Sequence, residues 1–397
     1  MPTALFRTAT GLIASLLCSL LVFPASAAPV PLPRDAGSPA TMQANPNDLP
    51  RTVQPHQSAL GITPWPVDMT EAAVLAAYEF VSRHATLIVH QFDNGVPWKE
   101  ALADRPFPRP VEEEWETRRQ LTPEGMPVFL ALTPLDMDRS GLAPFWDARG
   151  DGQPLDREWS RKRLDDPDVK AAYLNYVRRA VARFHPRFLA IGVESNILIS
   201  KAPEKWSSYL ALNAHVYKAI KREHPGLPVF ATIQYEHLRG IDDDAKPNLA
   251  RQEPGVRALL AHSDLMALST YRFGIYHPNP MRPDYFSYAE SFGRPVAIAE
   301  MGALSAPIHV FGMDLDANEQ DQANFIAGAL SHATKAGYPF VVNWVGQDFG
   351  PLVQRLPPEI RDLAALFAHM GLATADGRPK PALAVWDAYV RAAEPRP

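Results

Sequence analysis

The chain has 397 residues, 46% of them hydrophobic, and a net charge of −5 without any basic block, so it can build a large core and is not read as a nucleic-acid binder. Its one cysteine, Cys18, falls in an N-terminal segment expected to be removed, which excludes disulfides, thiolate metal sites and cysteine catalysis in the mature protein.

That segment has a weakly positive start at Arg7, an apolar run from Leu12 to Phe23 and Ala25-Ser26-Ala27 as a small-residue exit. It reads as a secretory signal, residues 1–27, cleaved after Ala27; the apolar run falls short of the ~20 residues a membrane span needs. The expected location is therefore periplasmic or extracellular, with no membrane attachment after cleavage. Residues 28–58, rich in Pro, Ala, Asn and Asp, read as a flexible linker, and residues 59–397 as one domain.

Within that domain eight short apolar runs alternate with helical patterns. The runs are Leu60–Pro64, Thr86–Phe92, Pro127–Thr133, Phe188–Val193, Pro228–Gln234, Leu265–Tyr271, Pro295–Glu300 and Tyr338–Val345. Most are rich in Val, Ile, Leu and Phe, as parallel strands buried on both faces require. Helical spacing marks Thr70–His84, Asp168–Phe184, Trp206–His224, Asn318–Ala336, Glu359–Met370 and Pro381–Ala392. Eight strand–helix alternations predict an α/β fold, a single (β/α)8 TIM barrel. An open doubly wound sheet would want a G-x-G-x-x-G turn after its first strand, and there is none.

In such a barrel the working residues follow the strands. The fourth run ends in Glu194-Ser195-Asn196 and the seventh in Glu300-Met301-Gly302. A lone carboxylate after an apolar strand is costly unless it is paired or hydrogen-bonded. Two of them fit glycosidic bond cleavage, which needs one carboxyl to protonate the leaving oxygen and another to attack or to activate water. No H-x-H or H-E-x-x-H metal cluster and no G-x-S-x-G elbow competes; no cofactor or metal is expected.

These features resemble the retaining glycoside hydrolase superfamily of (β/α)8 barrels with catalytic glutamates on strands four and seven. The strand-six stretch Asp264-Leu-Met-Ala-Leu-Ser-Thr-Tyr271 and the strand-eight Val341-Val-Asn-Trp344 resemble its motifs. Within it the chain looks most similar to arabinogalactan endo-β-1,4-galactanases and secreted relatives, over roughly Gly61 to Gly350. The resemblance implies Glu194 as acid/base, Glu300 as nucleophile, and a β-linked oligo- or polysaccharide as substrate. It departs at Val193, where the superfamily usually carries an Asn that contacts the sugar 2-hydroxyl; Asn196 matches a secondary position. That departure keeps a catalytically impaired carbohydrate-binding barrel open as an alternative, and transglycosylation shares the same glutamate pair. The sugar and the oligomeric state stay undetermined.

Further substrate-binding candidates are His90 and Asp93 after strand two, Trp98 as a stacking surface, Gln234 after strand five, Tyr271 as a donor to Glu300, and Trp344 as a platform under the sugar. Arg139, Arg272 and Asp348 are candidate supporting charges. The long connections from Asp93 to Glu124 and from Asp136 to Pro167 carry Trp98, Trp115, Trp146 and Trp159 and are expected to wall the cleft.

Overall fold

Apolar runs with no polar face form parallel strands only where both faces are covered, and here all eight do so. A computed structural model describes residues 53–241, 243–272, 281–282 and 284–394. The strands are β1 (Ala59–Thr63), β2 (Leu87–Phe92), β3 (Val128–Leu132), β4 (Phe188–Ala190), β5 (Val229–Phe230 and Thr232–Gln234), β6 (Met266–Arg272), β7 (Val296–Ala303) and β8 (Phe340–Val345). Every neighbouring pair is parallel, and β8 pairs with β1. Strand β5 is interrupted at Ala231; its first half bonds β4 and its second half β6, which joins the two ends of the sheet. The chain is a (β/α)8 TIM barrel, as its alternating pattern predicts.

The helices around it are α1 (Glu71–His84), α2 (Arg109–Leu121), α3 (Pro167–Phe184), α4 (Trp206–Glu223), α5 (Leu249–Leu260), the single turn α6 (Ser287–Glu290), α7 (Glu319–Ala336) and α8 (Pro381–Ala392). Their ends follow local chemistry. The Thr70 side chain accepts from the Ala73 amide to cap α1, Asn318 caps α7 in the same way, and Gly337 closes α7 at φ 73°. Helices α2 and α5 lie where the sequence pattern showed none.

Period-two alternation divides each strand between an inner and an outer layer. Inside, Phe129, Phe188, Phe230 and Phe340 meet at centroid distances from 4.6 to 5.9 Å. This plug leaves little room on β1, where a Cβ on Gly61 would come within 2.9 Å of Val342 and 3.2 Å of Leu87. Outside, Ile62, Ile88, Leu130, Leu189 and Ile298 pack under the helices.

The expected signal and most of the expected linker lie outside the described residues. Val53 to Ser58, the last of the expected linker, run beside α8: His56 and Glu394 exchange backbone bonds with Ala392 and His56, and the Ser58 hydroxyl donates to the Tyr338 carbonyl at 2.7 Å. Among the described residues no helix is long and apolar enough to cross a membrane.

The tryptophans of the two long connections do not wall a cleft. Trp98 stacks on Trp159 at 5.4 Å, Trp115 lies among Phe92, Phe107, Tyr176 and Phe184, and Trp146 packs on Phe92. All four are buried. They fill the space between β2, α2 and α3, where area burial outweighs exposure of indole at a rim.

A buried ion pair crosses the same layer. Arg118 on α2 donates twice to Glu114 Oε1, at 3.1 and 2.7 Å, and once to the Gln91 carbonyl at 3.1 Å, with its guanidinium 4.2 Å over Phe92. Burial pushes the Glu114 carboxyl up to about 7, against the pull of Arg118. A raised folded-state pKa contributes stability that is present below the unfolded value and lost as pH rises through the folded one. Without Arg118 that value rises further, so Arg118→Met is expected to cost ~3–5 kcal/mol and to cost more at pH 8 than at pH 5. Urea midpoints at the two pH values measure this; a penalty independent of pH would contradict it.

Candidate active site

Glu194 follows β4 across a sharp change of direction. Val193 still packs into the inner barrel core, and Glu194 itself takes a left-handed conformation, φ 48° and ψ 39°. A non-glycine residue held there stores on the order of 1–3 kcal/mol of strain. The surroundings impose it. The Glu194 amide donates to Thr232 Oγ1 at 2.7 Å, and Gly192 leaves space for the Tyr209 and Ser195 hydroxyls, with which a Cβ would collide. The carboxyl is fully buried, and neither of its oxygens has a hydrogen-bond partner.

Glu300 is aimed by a different device. In β7, Ile298 pairs with Leu268 while Glu300 pairs with Ser269, so Ala299 is an extra residue. The bulge lets Ala299 and Glu300 both face inward and returns Met301 to the outer layer. Tyr271 donates its hydroxyl to Glu300 Oε2 at 2.7 Å, and Gln91 bonds the same carboxyl.

The two carboxyls therefore sit in different settings. Burial raises Glu194 well above the usual carboxylate range, and the neighbouring Glu300 charge raises it further. Burial also raises Glu300, but the Tyr271 and Gln91 donors favour its charged form. Glu194 is the better proton holder and Glu300 the better anion.

Asp93 and Arg139 complete the cluster. Gln91 Nε2 donates to Asp93 Oδ2 at 3.1 Å, and Arg139 Nη2 lies 3.6 Å from that oxygen and 3.9 Å from Glu194 Oε2. Trp344 stands beside Tyr271, ring edge to face at 6.4 Å, within a group that includes Trp65, Phe349 and Phe367. Glu236, after β5, accepts from Thr270 and from Tyr285, each at 2.6 Å. Among the described residues no group of three or more His, Cys, Asp and Glu is arranged to hold a metal ion.

Four expected binding residues are corrected. His90 faces outward, since Leu87, Val89 and Gln91 take the inner positions of β2; its ring lies near Tyr78 and Phe184, and its Nε2 bonds Thr122 Oγ1 at 2.8 Å. Burial, with help from Arg118, keeps that imidazole well below its ordinary pKa and thus neutral. Trp98 is fixed by its stack on Trp159 and by donation to the Ala143 carbonyl at 2.8 Å. Asn196 spends its amide on structure: it donates to the Gln234 carbonyl and to Gln252 Oε1, and accepts from the Gln234 amide at 2.8 Å. Gln234 donates to Glu236 and caps the turn Tyr235–Leu238 by accepting from the His237 amide. The Asn196 side chain thus clamps the end of β4 to the Gln234 backbone at the end of β5 and so supports Glu194, while the Gln234 side chain fixes the turn that follows.

Asp348 is likewise structural, bonded to Lys380 Nζ at 2.6 Å and to the Gly371 amide at 3.0 Å. The Arg272 side chain lies outside the described residues. Gln91 and Glu236 were not anticipated; Gln91 was legible from the parity of β2, whereas Glu236 lies past its strand in a turn.

No protein-family model matches the chain, and no curated protein matches its sequence. Solved structures do. The exo-β-1,4-mannosidase Op5Man5 from Opitutaceae bacterium strain TAV5 superposes with a TM-score of 0.58 at 15% identity, covering 85% of this chain and 60% of that one. The GH5_18 protein from Streptomyces cattleya in complex with GlcNAc gives 0.57 at 19% identity, over 87% and 83%. A GH5_18 from Bifidobacterium longum subsp. infantis gives 0.55 at 15%, over 87% and 80%. These likenesses establish the fold. The structures that share it here are those of glycoside hydrolases, and this chain spans 60% of the mannosidase's length.

Proposed function

We propose that the protein is a retaining glycoside hydrolase that cleaves a β-linked oligo- or polysaccharide, exported by its leader to act outside the cytoplasm. The observation that carries this is the contrast between its two buried carboxyls. Glu194, with no donor on either oxygen, is held well above the usual carboxylate range; Glu300 is pushed up by burial to about 7 but, held by Tyr271 and Gln91, gives up its proton more readily. Paired carboxyls driven apart in this way identify an acid and a nucleophile.

Glu300 attacks the anomeric carbon as Glu194 passes its proton to the departing glycosidic oxygen; the C–O bond breaks and a glycosyl ester forms. Glu194, now a carboxylate, takes a proton from water, and the hydroxide oxygen displaces Glu300. One water is consumed and both glutamates return to their starting states. Trp344 is proposed as the surface on which the sugar rests.

Aryl β-mannosides, β-glucosides, β-galactosides and N-acetyl-β-glucosaminides, together with β-linked polysaccharides, form the test panel, mannose and GlcNAc being suggested by the names of the structural neighbours. Proton NMR of the first-formed sugar is expected to show the β anomer. First formation of the α anomer, or no cleavage of any member, rejects the proposal.

Tyr271 supplies a quantitative check. Loss of its donor removes stabilisation of the charged Glu300, so the pKa of that group rises. A hydrogen bond to a charged group is worth ~1.5–3 kcal/mol, so the acidic limb of the kcat/KM profile is expected to move up by about one to two pH units in Tyr271→Phe. An unmoved limb would remove Tyr271 from the mechanism.

A further inference from the structure

Arg139 is held with unusual care for a side chain that finishes so few of its bonds. It lies on the turn after β3. The Asp136 carboxylate accepts from the Ser140 amide and hydroxyl, at 2.7 and 2.9 Å, and the Asp136 amide donates to the Gly141 carbonyl. Lys205 Nζ donates to the Ser140 carbonyl at 2.7 Å. Within this turn Arg139 adopts φ 53°, a left-handed conformation that turns its side chain inward, where it is fully buried.

Of the guanidinium nitrogens, Nη1 donates to the Asp136 carbonyl at 3.0 Å, while Nε and Nη2 have no hydrogen-bond partner. Nη2 faces Asp93 Oδ2 at 3.6 Å and Glu194 Oε2 at 3.9 Å. Both distances exceed a hydrogen bond. A buried arginine kept only for stability has its donors satisfied, because an unmade bond in the interior costs ~1–3 kcal/mol. Here Nε and Nη2 of Arg139 and both oxygens of Glu194 stay without a hydrogen bond, and Nη2 faces Glu194 Oε2. Between them a donor on one side faces carboxyl oxygens on the other. A carboxylate or phosphate of a ligand would meet Asp93 and Glu194 there. A hydroxyl, which accepts and donates at once, suits both.

We infer that Arg139 is a specificity-determining residue: its free donors bind one ring hydroxyl of the sugar next to the cleaved bond, and that hydroxyl donates in turn to Asp93. The inference rests on the glycosidase reading and sharpens it. It assigns substrate recognition to a residue after β3, while Asn196 and Gln234 are spent on the scaffold.

Hydrolysis of the best aryl β-glycoside of the panel is compared with that of its monodeoxy analogues, in wild type, Arg139→Lys and Arg139→Met. One deoxy analogue is expected to lose ~10- to 100-fold in kcat/KM with wild type, and Arg139→Met to lose about as much on the parent glycoside. Combining the two is expected to add little, because each removes one side of the same bond. Arg139→Lys keeps the charge but gathers its donors on one nitrogen, losing the planar fork, and falls between; circular dichroism verifies that both variants fold. A merely structural Arg139 would lower the rate on every analogue by the same factor, and that result overturns the inference while leaving the glycosidase reading intact. If wild type cleaves nothing, that reading fails, and calorimetric binding of the same glycosides decides the slot: preference for the parent over one deoxy analogue, lost in Arg139→Met, supports it. Equal affinities or no binding refute it.

Discussion

Glu300→Gln is expected to lower kcat by ~10⁴- to 10⁶-fold on every substrate the wild type cleaves, whatever its leaving group. The amide fills nearly the same space and can still meet Tyr271, so binding and folding should survive. What disappears is the oxygen anion that forms the glycosyl ester. The loss should therefore appear in kcat rather than KM, and acidic or basic buffer should not restore it. Kinetics on two aryl glycosides of different leaving-group acidity measure this. Comparable residual rates above a few per cent of wild type would mean that Asp93 or Glu236, the other carboxyls of the site, carries the chemistry.

The second large effect is expected to depend on the leaving group. Glu194→Gln removes the proton donor, so glycosides with sugar or alkoxide leaving groups should lose ~10²- to 10⁴-fold. A dinitrophenyl glycoside needs no proton on departure and should form its ester at a near-normal rate. The second step still needs a base to activate water, so a burst of dinitrophenol followed by slow turnover is expected. Azide, a nucleophile that needs no base, should restore turnover and yield the β-glycosyl azide. The basic limb of the pH profile, which reports loss of the Glu194 proton, should vanish in this variant. A uniform loss across leaving groups, with no rescue, would take the acid/base role away from Glu194.

Barrel and glutamate pair were legible in the sequence for one physical reason. A strand covered on both faces must be apolar nearly throughout, so the single carboxyl that ends it stands out, as at Val193-Glu194 and Ala299-Glu300. Side-chain direction was harder. His90 follows an apolar run and reads as a mouth residue, but parity along Leu87, Val89 and Gln91 sends it outward. The same parity does not locate Glu300, because the Ala299 bulge resets it and no residue type announces that bulge.

The tryptophans misled for another reason. Trp98, Trp115, Trp146 and Trp159 sit in segments that look like exposed loops, and only packing between α2, α3 and the sheet shows that they are core. Helix α2 was itself obscured by charge: Glu114 and Arg118, which a pattern reading takes for solvent-facing, neutralise one another in the interior. Helix α5 carries Pro254 within it, which reads as a break. Asn196 and Gln234 show the limit of reading roles from position alone. Both lie at strand ends, but Asn196 uses its amide to join β4 to the backbone of β5 and Gln234 uses its own to close the following turn.

The account turns on Glu300 forming a covalent bond to the sugar, and Glu194→Gln is the variant in which that ester should accumulate. The protein is mixed with a dinitrophenyl β-glycoside of the sugar it cleaves, quenched in acid, digested with pepsin and analysed by mass spectrometry. The expected result is one glycosyl residue on the peptide that contains Glu300, absent from Glu194→Gln carrying Glu300→Gln as well. Turnover without an adduct, or an adduct on a peptide containing Asp93 or Glu236, would contradict the account.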